Sequence, residues 1–177
     1  MGKAERRLII VMGVSGCGKS TIAEGLAGAI GGRFFDGDHF HPQSNIDKMS
    51  RGEPLTDLDR WPWLTLVGQE LARGGGDVVG ACSALKKIYR DHLRKTAGAP
   101  VTFVHLSGSV DLIAGRMAAR DGHFMPLSLL ESQFAALEPP AGEPGAITVD
   151  IAPDTDAVIA EAARLGRGLI TSCPKAC

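Results

Sequence analysis

Residues Gly13, Val14, Ser15, Gly16, Cys17, Gly18, Lys19 and Ser20 fit the pattern G-x-x-x-x-G-K-[ST] at every fixed position. The residue types suit one task. Glycines let a backbone wrap with its N–H groups inward, and those donors, with the start of a following helix, hold phosphate oxygens. Lys19 adds a mobile positive charge for the β- and γ-phosphates. The Ser20 hydroxyl is placed to ligand Mg²⁺, and Thr21 closes the segment. The expected ligands are therefore a nucleoside triphosphate and Mg²⁺, held along this loop. Cys17 inside this loop raises a second possibility, because a thiol near a helix N-terminus can have a lowered pKa and be open to oxidation.

A second cluster follows at Asp36, Asp38, His39 and His41, continued by Asn45, Lys48 and Arg51. Two acids and two histidines beyond a short apolar strand belong where ligands collect in open α/β sheets, past the strand C-termini. An acid there can orient an acceptor hydroxyl and take its proton. Asp38 is placed in that role, with Asp36 the alternative. Lys48 and Arg51 would share a helix face and attract an anionic acceptor. Two further basic groups stand out: Lys86, Arg90 and Arg94 at i, i+4, i+8, and Arg116 with Arg120. The latter pair leads into a Gly/Pro-bounded stretch that could close over a migrating phosphoryl group and exclude water. Asp77 to Gly80 matches the D-x-x-G of nucleotide switches. However, Asp77 begins a strand, whereas an acid facing Mg²⁺ belongs at the C-terminal edge of the sheet.

The elements that must carry these groups are legible as alternating patterns. The run Leu8 to Met12 reads as a strand buried on both faces, and Ser20 to Ile30 as an amphipathic helix. Further strands are expected at Arg33–Phe35, Asp77–Cys82, Val101–Leu106 and Ala146–Ile151. Further helices are expected at Gln43–Ser50, from Thr56 to about Ala72 behind a capping box, at Lys86–Lys95, at Val110–Arg120, at Ser128–Leu137 behind a second capping box, and at Asp156–Leu165. Strands alternating with helices imply a five-stranded parallel sheet in a three-layer α/β/α fold. One domain is expected over 1–170, with a lid at about 116–127 and a tail at 171–177.

Composition sets the outer bounds. The chain has 177 residues, 22% of them charged, 23 glycines and a net charge of −1. That balance excludes a broad electrostatic binder of nucleic acid. No apolar run reaches the roughly 18 residues that span a bilayer. The four cysteines are too unevenly spaced for a disulfide framework, so a reduced, cytoplasmic protein is expected.

Several stretches together resemble the small P-loop gluconate kinases, relatives of shikimate and nucleoside monophosphate kinases. They are the phosphate loop, Asp36–Pro42 (DGDHFHP), Asn45–Met49 (NIDKM), Gly52–Asp57 (GEPLTD) with Asp59-Arg60 and Pro62–Leu64 (PWL), Ala81–Lys86 (ACSALK) with Tyr89–Asp91 (YRD), and Gly122–Phe124 (GHF) with Gln133-Phe134 and Leu137-Glu138. The resemblance runs from about Leu8 to Asp150. It implies phosphorylation of D-gluconate at its 6-hydroxyl by ATP. It also implies sugar-acid contacts from Asp38, His41, Lys48, Arg51 and Arg90, with Lys19, Arg116 and Arg120 over the phosphates, and a homodimer. A related kinase with another small acceptor, such as shikimate or a nucleoside monophosphate, is the alternative. Gly80, inside an expected strand, departs from the usual bulky apolar residue.

Overall fold

A computed structural model describes residues 6–119 and 126–170, the last three by backbone alone. Arg120, Gly122, the GHF stretch, and the tail with Cys173 and Cys177 lie outside the described residues. The chain runs β1 (Leu8–Met12), α1 (Lys19–Ile30), β2 (Arg33–Asp36), a 3-10 turn (Gly37–Phe40), α2 (Gln43–Ser50), α3 (Asp57–Ala72), β3 (Val78–Ala81), α4 (Lys87–Ala97), β4 (Thr102–Ser107), α5 (Val110–Ala118), α6 (Leu127–Ala136), β5 (Ala146–Asp150) and α7 (Thr155–Ile170).

All strand pairs are parallel, in the order β2-β3-β1-β4-β5. β1 is central, and all five of its residues are buried. Alternation along it divides the core. Ile9 and Val11 join Leu26, Val104, Leu106 and Val158 on one face. Leu8, Ile10 and Met12 join Trp63, Leu64, Leu71, Leu93 and Phe103 on the other. The chain leaves β1 toward β2 and β3 on one side and later β4 and β5 on the other. The order therefore reverses beside β1, and a crevice opens past its C-terminal end, where Gly13 begins the phosphate loop.

Gly80 finds its reason on the neighbouring strand, where Phe35 is its register partner. A Cβ there would come within 2.5 Å of Phe35 Cζ and 3.0 Å of Ile10 Cδ1. The missing side chain is filled by the Phe35 ring of the neighbouring strand, so Gly80 is a packing choice rather than a weak strand.

α3 begins as expected. Thr56 Oγ1 accepts the Asp59 N–H at 3.2 Å, and Asp59 Oδ2 accepts the Thr56 N–H at 2.8 Å. The second expected capping box does not form. α6 starts at Leu127 with Pro126 at its cap position and no side-chain cap, because proline sets the chain direction one residue ahead of Ser128.

Candidate active site

The phosphate loop is shaped by Gly13, Gly16 and Gly18, at φ 151°, 78° and 95°. Gly16 is required twice over: its conformation is left-handed, and a Cβ would overlap Met117 Cγ at 2.4 Å. The end of α5 therefore lies directly on the loop. Gly18 offers α1 no side-chain cap, so the first-turn amides of that helix stay available to an anion. Lys19 Nζ reaches back to the Val14 carbonyl at 3.0 Å. Ser15 N–H donates to Gln133 Oε1 of α6 at 2.7 Å, which ties the helix after the lid to the loop. Cys17 is buried and is no redox handle: burial pushes its thiol pKa up, with Lys19 pulling the other way.

The acid cluster divides its labour. Asp36 closes β2, and its Oδ2 accepts the Ser20 hydroxyl at 2.5 Å while Oδ1 accepts the Asp38 N–H at 2.9 Å. A hydroxyl and a carboxylate side by side at the phosphate loop form a hard-oxygen pair that suits Mg²⁺. Asp38 stands free, its side chain 73% exposed. The turn that carries it is fixed from below. Trp63 Nε1 donates to the Gly37 carbonyl at 2.7 Å, and Gly37 passes so close to β3 that a Cβ would meet the Ala81 carbonyl at 2.4 Å. Desolvation by the surrounding cleft raises the Asp38 pKa. Lys19 opposes this, Asp36 adds to it, and His39 opposes it.

His41 is locked under the pocket. Its ring stacks on Trp63 at 4.1 Å. Asn45 Nδ2 donates to the Asp59 carbonyl at 2.9 Å, and that carbonyl can only accept, so the orientation of the amide is fixed. The same nitrogen lies 3.2 Å from His41 Nδ1. Nδ1 is thus the acceptor, and the ring proton sits on Nε2, which points toward Asp38 Oδ1 at 3.9 Å. Burial, then the nearby Arg60 charge, lowers the His41 pKa to about 4. The ring is neutral at pH 7. The unfolded chain binds this proton near pH 6.5, so folding stability is full above that value and is lost as pH falls toward 4. We expect a loss of up to about 3 kcal/mol across that interval. His92 and His105, also lowered by burial, add with the same sign. Denaturant titrations at pH 7 and 4.5 read the difference, and His41→Phe should flatten it. A wild-type profile without slope there would refute the assignment.

Two cavities meet at these groups. One, of about 850 Å³, runs along Gly16, Gly18, Ser20, Thr21, Asp36 and Arg51. The other, of about 450 Å³, is lined by His41, Ile46, Leu55, Arg60, Ser83 and Gln133. Lys19 and Asp38 line both. A third hollow, on the far side of the loop, lies against Thr21, Arg116, Ile151 and Pro153.

Not every expected contact arrives. Arg51 reaches the larger cavity, paired with Glu53 at 2.9 Å. Arg116 lines the third hollow and donates to the Ile151 carbonyl at 2.6 Å. Lys48 turns to Asp59 at 2.8 Å and lines neither cavity. Arg90 is corrected outright. It is 1% exposed, and its donors are committed to Glu143 and to the carbonyls of Ala84 and Leu85. Asp77, at the opposite end of its strand from the phosphate loop, holds the Arg7 N–H at 2.8 Å, which disposes of the switch-like reading. Arg60 belongs to a stretch that resembles the family, but sequence reasoning gives it no role. It lines the smaller cavity, lies 5.6 Å from the Tyr89 ring centroid, and has no carboxylate partner among the described residues. Its sequence signal is the Asp59-Arg60 pair among the stretches that resemble the gluconate kinases.

The AAA domain family matches residues 8–140. The gluconokinase of Gluconobacter oxydans is 47% identical over 161 residues, covering 89% of this chain and 90% of its own. The thermosensitive gluconokinase of Escherichia coli is 48% identical over 147 residues, covering 80% and 78%. A crystal structure of a gluconokinase from Sinorhizobium meliloti superposes with TM-score 0.85 at 48% identity, covering 96% of this chain and all of that one. The chain belongs to the gluconokinase family.

The phosphate loop and Arg51 line the larger cavity, Arg60 and Ser83 the smaller, and the acid turn borders both. The phosphate loop, Asp36 and Asp38 sit at strand ends and at the start of α1, while Arg60 and Gln133 are carried by α3 and α6. The segment containing Arg120 lies outside the described residues.

Proposed function

We propose that the chain transfers the γ-phosphoryl group of ATP to the 6-hydroxyl of D-gluconate, giving ADP and 6-phospho-D-gluconate. The observation that carries this reading is that Lys19 and Asp38 line both cavities. A phosphate donor on one side and an acceptor on the other would meet at these two groups. The triphosphate lies along the loop and the first-turn amides of α1, with the nucleoside toward Arg116 and Pro153. Ser20 and Asp36 would hold Mg²⁺, which when bound neutralises charge on the β- and γ-phosphates. Gluconate lies in the smaller cavity with its carboxylate at Arg60 and its far hydroxyl at Asp38.

Asp38 orients the 6-hydroxyl and accepts its proton as the new O–P bond forms and the bond from γ-phosphorus to the β,γ-bridging oxygen breaks. Nε2–H of His41 faces the Asp38 carboxylate and helps to aim it. Such transfers proceed through a loose transition state, so placement and charge outweigh base strength. Lys19 stabilises the oxygens of the migrating group, and on the family resemblance Arg120 would join it. On the family resemblance the enzyme is a cytoplasmic homodimer, a state that sedimentation would check. Among the described residues no helix is long and apolar enough to cross a membrane.

The deciding assay follows ATP consumption over gluconate, other sugar acids, shikimate and AMP. Activity peaking on anything but gluconate would sink the acceptor assignment. Arg60→Met tests the carboxylate contact. A charge-assisted hydrogen bond is worth about 1.5–3 kcal/mol, so the gluconate KM should rise about ten- to a hundredfold while the ATP KM hardly moves. An unchanged gluconate KM would remove Arg60 from the site.

A further inference from the structure

Among the described residues, Ala84 is the one non-glycine with a left-handed backbone, at φ 43°. L residues are strained there, and such strain persists only where the surroundings impose it. Ala84 is fully buried in the segment that joins β3 to α4. The preceding residue, Ser83, lines the acceptor cavity, and its carbonyl accepts the Gly13 N–H at 3.3 Å. One peptide unit thus borders the acceptor and steadies the first glycine of the phosphate loop.

What imposes the strain is visible. Arg90 Nη1 donates to the Ala84 and Leu85 carbonyls at 3.0 and 3.1 Å. Its Nε and Nη2 both engage Glu143 Oε2, at 2.9 and 2.8 Å, and Arg94 takes Glu143 Oε1 at 2.7 Å. Burial pushes the Glu143 pKa up, but the two arginines outweigh it and hold the carboxyl below its usual range. The Arg90 and Glu143 side chains are 1% and 8% exposed. Buried ion pairs add little net stability over apolar packing, yet they define geometry where every donor is used. Glu138 adds a second strap, its N–H donating to the Leu85 carbonyl at 2.9 Å.

We propose that Arg90 is a positioning residue: gripped by Glu143, it holds Ala84 left-handed and so fixes Ser83 where the acceptor cavity meets the phosphate loop. The proposal rests on the reading of that cavity as the gluconate site. Without the grip, Ala84 relaxes toward an ordinary conformation and Ser83 turns with it.

The test compares Arg90→Lys, alone and combined with Ala84→Gly, by melting temperature and by kcat and KM for both substrates, at a temperature where each variant is folded. Lysine keeps the charge, but a single ammonium cannot span Glu143 and two carbonyls. Misplacement on this scale should raise the gluconate KM about ten- to a hundredfold, with the ATP KM within about threefold. Glycine adopts φ > 0 freely, so Ala84→Gly should restore a substantial part of the gluconate KM while adding no contact. A melting temperature that falls with gluconate KM unchanged would show a merely structural pair and overturn the proposal. So would a double variant no better than Arg90→Lys. If Arg90→Lys does not fold, Glu143→Gln gives the same comparison with the guanidinium retained: a raised gluconate KM supports the grip, and an unmoved one overturns it. Failure of the wild-type protein to phosphorylate gluconate counts instead against the acceptor assignment, and it is read before any variant is made.

Discussion

A Lys19→Ala protein is expected to keep its fold and lose about two to three orders of magnitude in kcat. Both halves of that expectation come from the same geometry. Lys19 Nζ makes one hydrogen bond, to the Val14 carbonyl, at the junction of two open cavities. Its removal leaves the Val14 carbonyl with the Cys17 N–H at 3.4 Å, so melting should barely change. The charge it carries is needed most when the γ-phosphoryl group is between donor and acceptor, so the loss should fall on kcat rather than on KM alone. Lys19→Arg is a sharper control, because a guanidinium retains the charge but not the reach of an ammonium around the loop. A Lys19→Ala enzyme with near-normal kcat would end the scheme.

The second large effect belongs to Asp38→Asn. The change is nearly isosteric and preserves a hydrogen-bond acceptor, so gluconate should still bind. It removes the proton acceptor, for which losses of about a hundredfold or more in kcat are typical. A loss confined to KM would recast Asp38 as a binding group. The pH profile gives an independent reading. Partial desolvation at the cleft, with the Asp36 charge adding to it, raises the Asp38 pKa above that of an ordinary carboxylate. The active form is ionised, so wild-type kcat should fall as pH drops through that raised value. Asp38→Asn should lack this acidic limb.

How much of this was readable beforehand differs residue by residue. The phosphate loop was complete in the sequence because its chemistry lies in consecutive residues, and its strand and helix flank it directly. α2 and the Thr56 cap were equally local, and both appear where the pattern put them. The errors share one cause, which is distance along the chain. The stripe of Lys86, Arg90 and Arg94 looks like a helix face that could serve a ligand. Nothing near it announces that Glu143 will arrive beneath it, or that Lys86 will bridge to Asp57 at 2.8 Å. The charge of Lys48 suits an anionic acceptor, but it is taken up by Asp59 at 2.8 Å. Asp36 and Asp38 are too close in sequence to be ranked, and only the register of β2 beside the phosphate loop sends the first to Ser20 and leaves the second free. Gly80 looked like a defect because Phe35 sits on another strand.

Asp59 caps the start of α3, and its ties also set the order in which the pocket fails in acid. Bonds from Lys48, then from the backbone and hydroxyl of Thr56, hold its pKa down to about 2. Its contribution is therefore complete above the ordinary carboxylate range and is surrendered only as pH falls through about 2. His41 is under pressure to protonate long before that, from pH 6.5 downward. Acidification should accordingly strip the pocket from one wall first. The imidazole that faces Asp38 leaves its stack on Trp63 while the helix bearing Arg60 still has a secured beginning. Gluconate affinity and global unfolding would then part company along the pH axis, with recognition failing at a milder acidity than the fold.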